Sequence, residues 1–153
     1  MFMHLTNYAI NKSATNYNKA SGTNDDEGHK RSLTFALQYI ERMGHDSSKV
    51  LTDIKSVIIK TLISVQPSLA HTYRYCQPDD LSNAMCFEIL GFDIFIDEKL
   101  KPWVIEVNHS PSFTTDSPLD FKVKKGLIAD TIRLLNLSMS AKQKLKKKKA
   151  IEY

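Results

Sequence analysis

The stretch GFDIFIDEKLKPWVIEVNHS, from Gly91 to Ser110, decides how the rest of the chain is read. Two runs of aromatic and β-branched residues, FDIFID and WVIEVN, flank the polar DEKLKP, a composition that predicts a strand, a turn and a second strand. Period-2 alternation puts Phe92, Ile94 and Ile96 on one face of the first strand and Asp93, Phe95 and Asp97 on the other. In the second, Trp103, Ile105 and Val107 separate from Val104, Glu106 and Asn108. A hairpin symmetric about Lys99 and Leu100 pairs Ile96 with Trp103 and, counting back, Asp93 with Glu106, with Asn108 one step along the same face. A turn one residue longer or shorter reverses that parity.

Two carboxylates directly opposite on a sheet repel unless a cation lies between them or one takes up a proton. Two anionic oxygens and one amide oxygen, without sulfur or imidazole, suit Mg²⁺ better than zinc. Asp93, Glu106 and Asn108 are therefore the candidate metal ligands; the alternative is an exposed sheet face bearing ordinary acids. Magnesium held by few protein oxygens usually binds substrate phosphates. The five glycines, at 22, 28, 44, 91 and 126, match no phosphate-cradling loop, so a nucleotide would need other contacts.

Outward from the hairpin, helical periods take over. MFMHLTNYAI reads as a strand, and the polar NKSATNYNKASGTNDDEGHK, including residues 12–30, as a mobile loop. Leu33, Leu37, Ile40 and Met43 share one helical face, with Gly44 as a left-handed stop. A second helix follows a Ser47-Ser48 cap, its inward stripe running through Val50, Ile54, Val57, Ile58, Leu62 and Val65, and Pro67 is expected to interrupt or end it. AMCFEILGFDIFID reads as one strand, and a last helix starts at Ser117-Pro118, with Leu119, Val123, Leu127, Thr131, Leu134 and Leu135 inward. The fold class is thus α+β, mainly an antiparallel sheet flanked by helices.

Bulk properties narrow the setting. With 153 residues, 42% hydrophobic and 25% charged, the chain has the composition of one globular domain or a piece of a larger one. No apolar run reaches a membrane-spanning length and no secretory leader is legible, so a soluble, cytoplasmic protein without membrane partners is expected. Cys76 and Cys86 make no disulfide framework and are read as reduced core thiols. Six of the 21 basic residues fall in KQKLKKKK, residues 142–149; the others number 15 against 17 acids. The basicity therefore belongs to a tail, 138–153, suited to a polyanion, and its lack of interleaved aromatics and arginines argues against nucleic acid. No histidine has ligand-like spacing with a cysteine pair, which excludes a zinc reading.

The pieces HLTNYAINK, GHKRSL, CFEILGFDIFID and PWVIEVNHSPSF, in that order, resemble the tubulin tyrosine ligase-like family, and within it the polyglutamylases, over residues 4–137. The resemblance implies the C-terminal portion of an ATP-grasp catalytic domain over 1–137, incomplete as given, since the upstream nucleotide-holding lobes of such enzymes have no counterpart here. It implies an ATP- and Mg²⁺-dependent carboxylate-amine ligase that joins free L-glutamate to tubulin glutamate side chains through an acylphosphate. It assigns metal roles to Asp93, Glu106 and Asn108, in agreement with the register. Thr6 and Asn7 of LTN would lie beside the nucleotide phosphates; Tyr8, Lys12 and Lys30 would hold the glutamate substrate. His109, next to the metal asparagine, is a candidate catalytic base, with a structural or solvent-facing histidine as the plainer reading. The lysine tail stands where a cationic microtubule-binding region would begin, implying tubulin or microtubules as partner and a cytoskeletal site, the axoneme or basal body of a cilium. The competing readings are a truncated, non-catalytic form that binds microtubules through its basic end, and a magnesium-dependent phosphohydrolase.

Overall fold

Helix starts are written into the chain by short polar side chains. A computed structural model of the protein describes residues 8–11, 13–18, 28–80 and 85–136. Its elements are α1 (Tyr8–Asn11), α2 (Leu33–Arg42), α3 (Ser47–Cys76), β1 (Gly91–Ile96), β2 (Pro102–Asn108) and α4 (Pro118–Leu135), an α+β arrangement with one antiparallel strand pair among the described residues. They fall into two compact units: one is Ser32–Ser112, and the other holds the described residues of Met1–Arg31 and Phe113–Tyr153.

In the Ser32–Ser112 unit, the Ser32 hydroxyl accepts from the Phe35 N–H at 3.0 Å and starts α2. The helix closes as expected at Gly44, whose φ of 83° only glycine adopts cheaply: His45 N–H reaches the Ile40 carbonyl and Gly44 N–H that of Glu41. Asp46, one residue before the expected serines, caps α3 by accepting from Lys49 N–H. Ser47 is buried instead, its hydroxyl donating to Glu41 at 2.5 Å and tying α3 to α2.

Pro67 neither ends nor interrupts α3, which continues to Cys76. Proline removes one N–H from the ladder, that facing the Ile63 carbonyl, and the intact turns on both sides carry the helix across the gap. At 30 residues α3 is about 45 Å long, whereas the seven residues of β2 span about 23 Å. The strand pair therefore covers only part of the helix. Val50 is buried at 3% exposure and Ile54, Val57 and Ile58 are half-buried, but Leu62 and Val65, expected inside, are exposed. With Ile40, Val50 is the buried apolar core among the described residues.

The strand expected over residues 84–97 is shorter, beginning at Gly91. Gly91 pairs with Asn108, the last residue of β2, and Pro111 folds against it, so the chain before Gly91 has no strand to bond there. Cys76 and Cys86 are free, as expected, but exposed rather than in a core. Tyr73, in the last turn of α3, donates its hydroxyl to Asp80 and accepts the Met85 N–H at 3.0 Å, closing the end of the helix.

In the other unit, residues 1–7 of the expected opening strand lie outside the described residues; its end, Tyr8–Asn11, is a helical turn instead, and the Ser13 and Ala14 N–H groups extend the winding onto the Ile10 and Asn11 carbonyls. The two described ends of the long loop clasp each other. Asn18 N–H donates to His29 Nδ1 at 3.0 Å, His29 N–H returns to the Asn18 carbonyl, and the Tyr17 and His29 rings stack at 5.3 Å. Helix α4 starts where expected, with Ser117 accepting from Asp120 N–H and Pro118 in the first turn. Of its inward stripe Leu119, Thr131 and Leu135 are half-buried, whereas Val123, Leu127 and Leu134 are exposed. Residues 137–153, with the lysine tail, lie outside the described residues. No described helix is long and apolar enough to cross a membrane.

Candidate metal centre

The hairpin brings Asp93 opposite Glu106, but not by the expected count. Ile96 pairs with Pro102, Phe95 with Trp103 and Ile94 with Val104; then β2 slips by one, and Asp93 pairs with Glu106, Phe92 with Val107 and Gly91 with Asn108. Ile105 is left over as a β-bulge. The turn is one residue shorter than a symmetric one, which reverses the parity, and the bulge reverses it back. One consequence corrects the face assignment. Val104 shares the inner face with Ile94, while Trp103 shares the outer face with Phe95, and only beyond the bulge do Glu106 and Asn108 come onto the face of Asp93.

Asp97 sets the short turn. Its carboxylate accepts from the Lys99 and Lys101 N–H groups, both at 2.9 Å, and from Trp103 Nε1 at 2.9 Å. Asp97 N–H donates to the Lys101 carbonyl, the Leu100 N–H returns to the Asp97 carbonyl, and Leu100 takes a left-handed φ of 59°. The Trp103 indole N–H, together with the backbone donors, holds the Asp97 carboxyl below its ordinary range. Lys101 completes the cage with its ammonium 4.0 Å from the Trp103 ring centre.

At the other end of the strands the acids converge. Partial desolvation, then hydrogen bonding to and repulsion from Glu106, raise the Asp93 carboxyl above its ordinary value. The Asn108 amide donates to Glu106 Oε1 at 3.0 Å. Two carboxyls within reach of each other, with an amide beside them and all three exposed, form an oxygen-only donor set in which a divalent cation would relieve the repulsion raising Asp93. The described residues contain no group of three His, Cys, Asp or Glu side chains placed for an ion, so an oxygen set completed by asparagine is the arrangement on offer.

Gly91 is a member of this site that the pattern did not single out. A Cβ added there would sit 3.1 Å from Pro111 Cβ and 3.6 Å from Asn108 Cβ, so the bare backbone lets the NHSP segment fold over the strand end beside the asparagine. The one signal for it was a glycine opening a strand, and for Asp97 an acid two residues before a lysine in a turn.

The remaining candidates are more dispersed. His109 is exposed, with Nδ1 3.0 Å from Ser110 Oγ. Lys30 bonds Asp120 at 2.8 Å. Asp120 is buried, which disfavours its charge, but Lys30, the Ser117 hydroxyl and Lys124 outweigh that and keep the carboxyl below its ordinary range. Tyr8 opens α1. Thr6, Asn7 and Lys12 lie outside the described residues.

The chain has relatives among known proteins. The chain is similar to a Tetrahymena thermophila protein named probable beta-tubulin polyglutamylase, with 57% identity over 146 residues, covering 95% of the chain and 12% of that protein. It is 51% identical over 143 residues to tubulin polyglutamylase ttll6 of Danio rerio, covering 94% of the chain and 18% of the relative. With tubulin polyglutamylase TTLL7 of Mus musculus the identity is 42% over 153 residues, 98% of the chain and 17% of the relative. The chain thus spans less than a fifth of the length of these relatives. The model of the tubulin-tyrosine ligase family matches residues 1–145, nearly the whole chain and with it the entire acid-bearing hairpin, and the chain belongs to that family.

Proposed function

We propose that this chain supplies the metal-binding hairpin of an ATP- and magnesium-dependent ligase that adds glutamate to glutamate side chains of tubulin. The observation that carries the reading is the pairing of Asp93 with Glu106, with Asn108 on the same face, in a chain similar over 94% or more of its length to proteins named tubulin polyglutamylases. The reaction is amide formation from two groups that do not react unaided. The acceptor carboxylate takes the γ-phosphoryl of ATP, releasing ADP and leaving an acylphosphate. The amino nitrogen of free L-glutamate then attacks the acyl carbon, the C–O bond to phosphate breaks, phosphate leaves, and the nitrogen gives up a proton.

Asp93, Glu106 and Asn108 would hold the magnesium ion, which when bound offsets negative charge on the β- and γ-phosphates. Thr6 and Asn7 would donate to the phosphates, and Tyr8, Lys12 and Lys30 would face the carboxylates of the incoming glutamate. Lys30 is oriented by Asp120, whose carboxylate accepts from its ammonium. His109, beside Asn108 and with Nδ1 3.0 Å from Ser110 Oγ, would serve the acceptor side. The lysine tail would meet the acidic tails of tubulin through attraction that weakens with salt, and the working site would be the cytoskeleton, including the cilium. The test is glutamate incorporation into tubulin by a polypeptide of the relatives' length that contains this hairpin. Asp93→Asn with Glu106→Gln should abolish incorporation at saturating Mg²⁺; activity near that of the parent would sink the assignment.

A further inference from the structure

A groove of about 460 Å³ runs between the first half of α3 and the turn of the hairpin, all within the Ser32–Ser112 unit. It lies at the opposite end of the strands from the acid cluster, four residues or about 13 Å along β2 from Glu106 to Pro102. Its floor is apolar, with Val50 and Pro102 buried and Val57 and Leu100 half-buried. Its rim is cationic, with Lys49 and Lys60 from α3 and Lys99 and Lys101 from the turn.

The two acids in the lining offset only part of the charge of the four lysines. Both act on Lys49: Asp46 caps its N–H, and Asp53 takes its ammonium at 2.7 Å. The Lys60 and Lys99 ammonium groups have no hydrogen-bond or ion-pair partner among the described residues, and Lys101 rests on the Trp103 ring within the field of Asp97. Two ammonium groups without a carboxylate, those of Lys60 and Lys99, thus border an apolar trough whose lining carries an excess of positive charge.

We infer that this groove docks an acidic polypeptide segment, with carboxylates on the lysine rim and an intervening apolar side chain on the Val50–Pro102 floor. The chemistry of the rim favours this occupant over a compact phosphate. A compact phosphate is held best by donors that converge on one point, whereas Lys60 on α3 and Lys99 in the turn are separate point charges on flexible stems that match carboxylates spaced along a chain. At about 460 Å³ the groove also leaves an apolar floor that a bare phosphate would not use. That the natural occupant belongs to a glutamate-bearing acceptor rests on the ligase reading above; the docking itself does not, and its measurement involves no turnover.

The experiment uses the full chain and the fluorescence anisotropy of a labelled peptide in which glutamates flank a single leucine. To separate the groove from the lysine tail, Lys146, Lys147, Lys148 and Lys149 are changed to Gln in every sample. In that background the peptide should bind, and Lys60→Glu with Lys99→Glu should weaken it about tenfold. Lys60→Arg with Lys99→Arg should leave affinity within about twofold. Lys60→Gln with Lys99→Gln is read alongside, so that a fold loss caused by charge reversal, seen by circular dichroism, does not decide the outcome. Undiminished binding by the Gln pair, equal binding of the peptide with glutamines in place of glutamates, or full displacement by inorganic phosphate at matched ionic strength would each overturn the proposal.

Discussion

Replacing Asp93 with Asn should change the chain's stability in opposite directions depending on whether magnesium is present. Without metal, Asp93 and Glu106 face each other across the strand pair, and the Asp93 carboxyl is raised above its ordinary value. A raised acid binds its proton more tightly in the folded chain than in the unfolded one. The burden of the facing charges is therefore absent at pH values below the unfolded pKa, sets in as pH rises through the raised value, and is fully present at pH 7. Like charges directly opposite on a sheet cost about 0.2–1 kcal/mol, and because Asp93 is exposed we take roughly 0.5 kcal/mol. Asn keeps the shape, removes the charge and can donate to Glu106, so the substitution should stabilise the metal-free protein by that amount. With Mg²⁺ at ten times its dissociation constant, the parent gains RT ln 11, about 1.4 kcal/mol, and the variant gains little. At about 2–4 °C per kcal/mol, the variant should melt about 1–2 °C above the parent in EDTA and about 2–4 °C below it in Mg²⁺. Differential scanning fluorimetry in the two buffers at pH 7 reads both signs. A variant that melts lower in EDTA would show that the two acids do not oppose each other. One that keeps the full magnesium shift would show that Asp93 is not a ligand.

Three further outcomes follow from the same contacts. Asp120→Ala removes the buried partner of Lys30 and of the Ser117 hydroxyl, and should cost about 1–2 kcal/mol in urea unfolding at pH 7, the exposed Lys30 contributing the smaller share. Because Asp120 is held below its ordinary pKa, that stability is present above the unfolded value and lost as pH falls through the folded one, so parent and variant should converge below about pH 4. Gly91→Ala puts a Cβ against Pro111 and should cost roughly 1 kcal/mol in the same assay while weakening the Mg²⁺-dependent melting shift through Asn108. An unchanged shift would separate the NHSP segment from the metal set. Asp97→Ala should release the turn, read as a red shift in the emission of Trp103, the single tryptophan. The parent should show the same shift as pH falls through the depressed Asp97 pKa, since protonation removes the acceptor that holds the indole.

What the sequence made legible follows from how local each signal is. The cap of α4 and the glycine stop at Gly44 involve residues within a turn of one another and stand where their patterns put them, and at α3 Asp46 displaces Ser47 by a single position. Burial was less legible because it depends on what arrives from elsewhere. The stripe of α3 is continuous, but a 23 Å strand cannot cover a 45 Å helix, so Leu62 and Val65 stay exposed. The metal set shows the third case, in which the right pair came from the wrong register. Alternation alone cannot see a turn shortened by Asp97 or a bulge at Ile105, and each moves every side chain beyond it to the opposite face. Two such shifts cancel. The pairing of Asp93 with Glu106 therefore depends jointly on a turn built by Asp97 and on a leftover residue three positions C-terminal to Pro102. A change at either position should move the acids apart while leaving all three candidate ligands in the chain. This is why the turn, which carries no proposed ligand, is as much a part of the candidate site as the acids themselves.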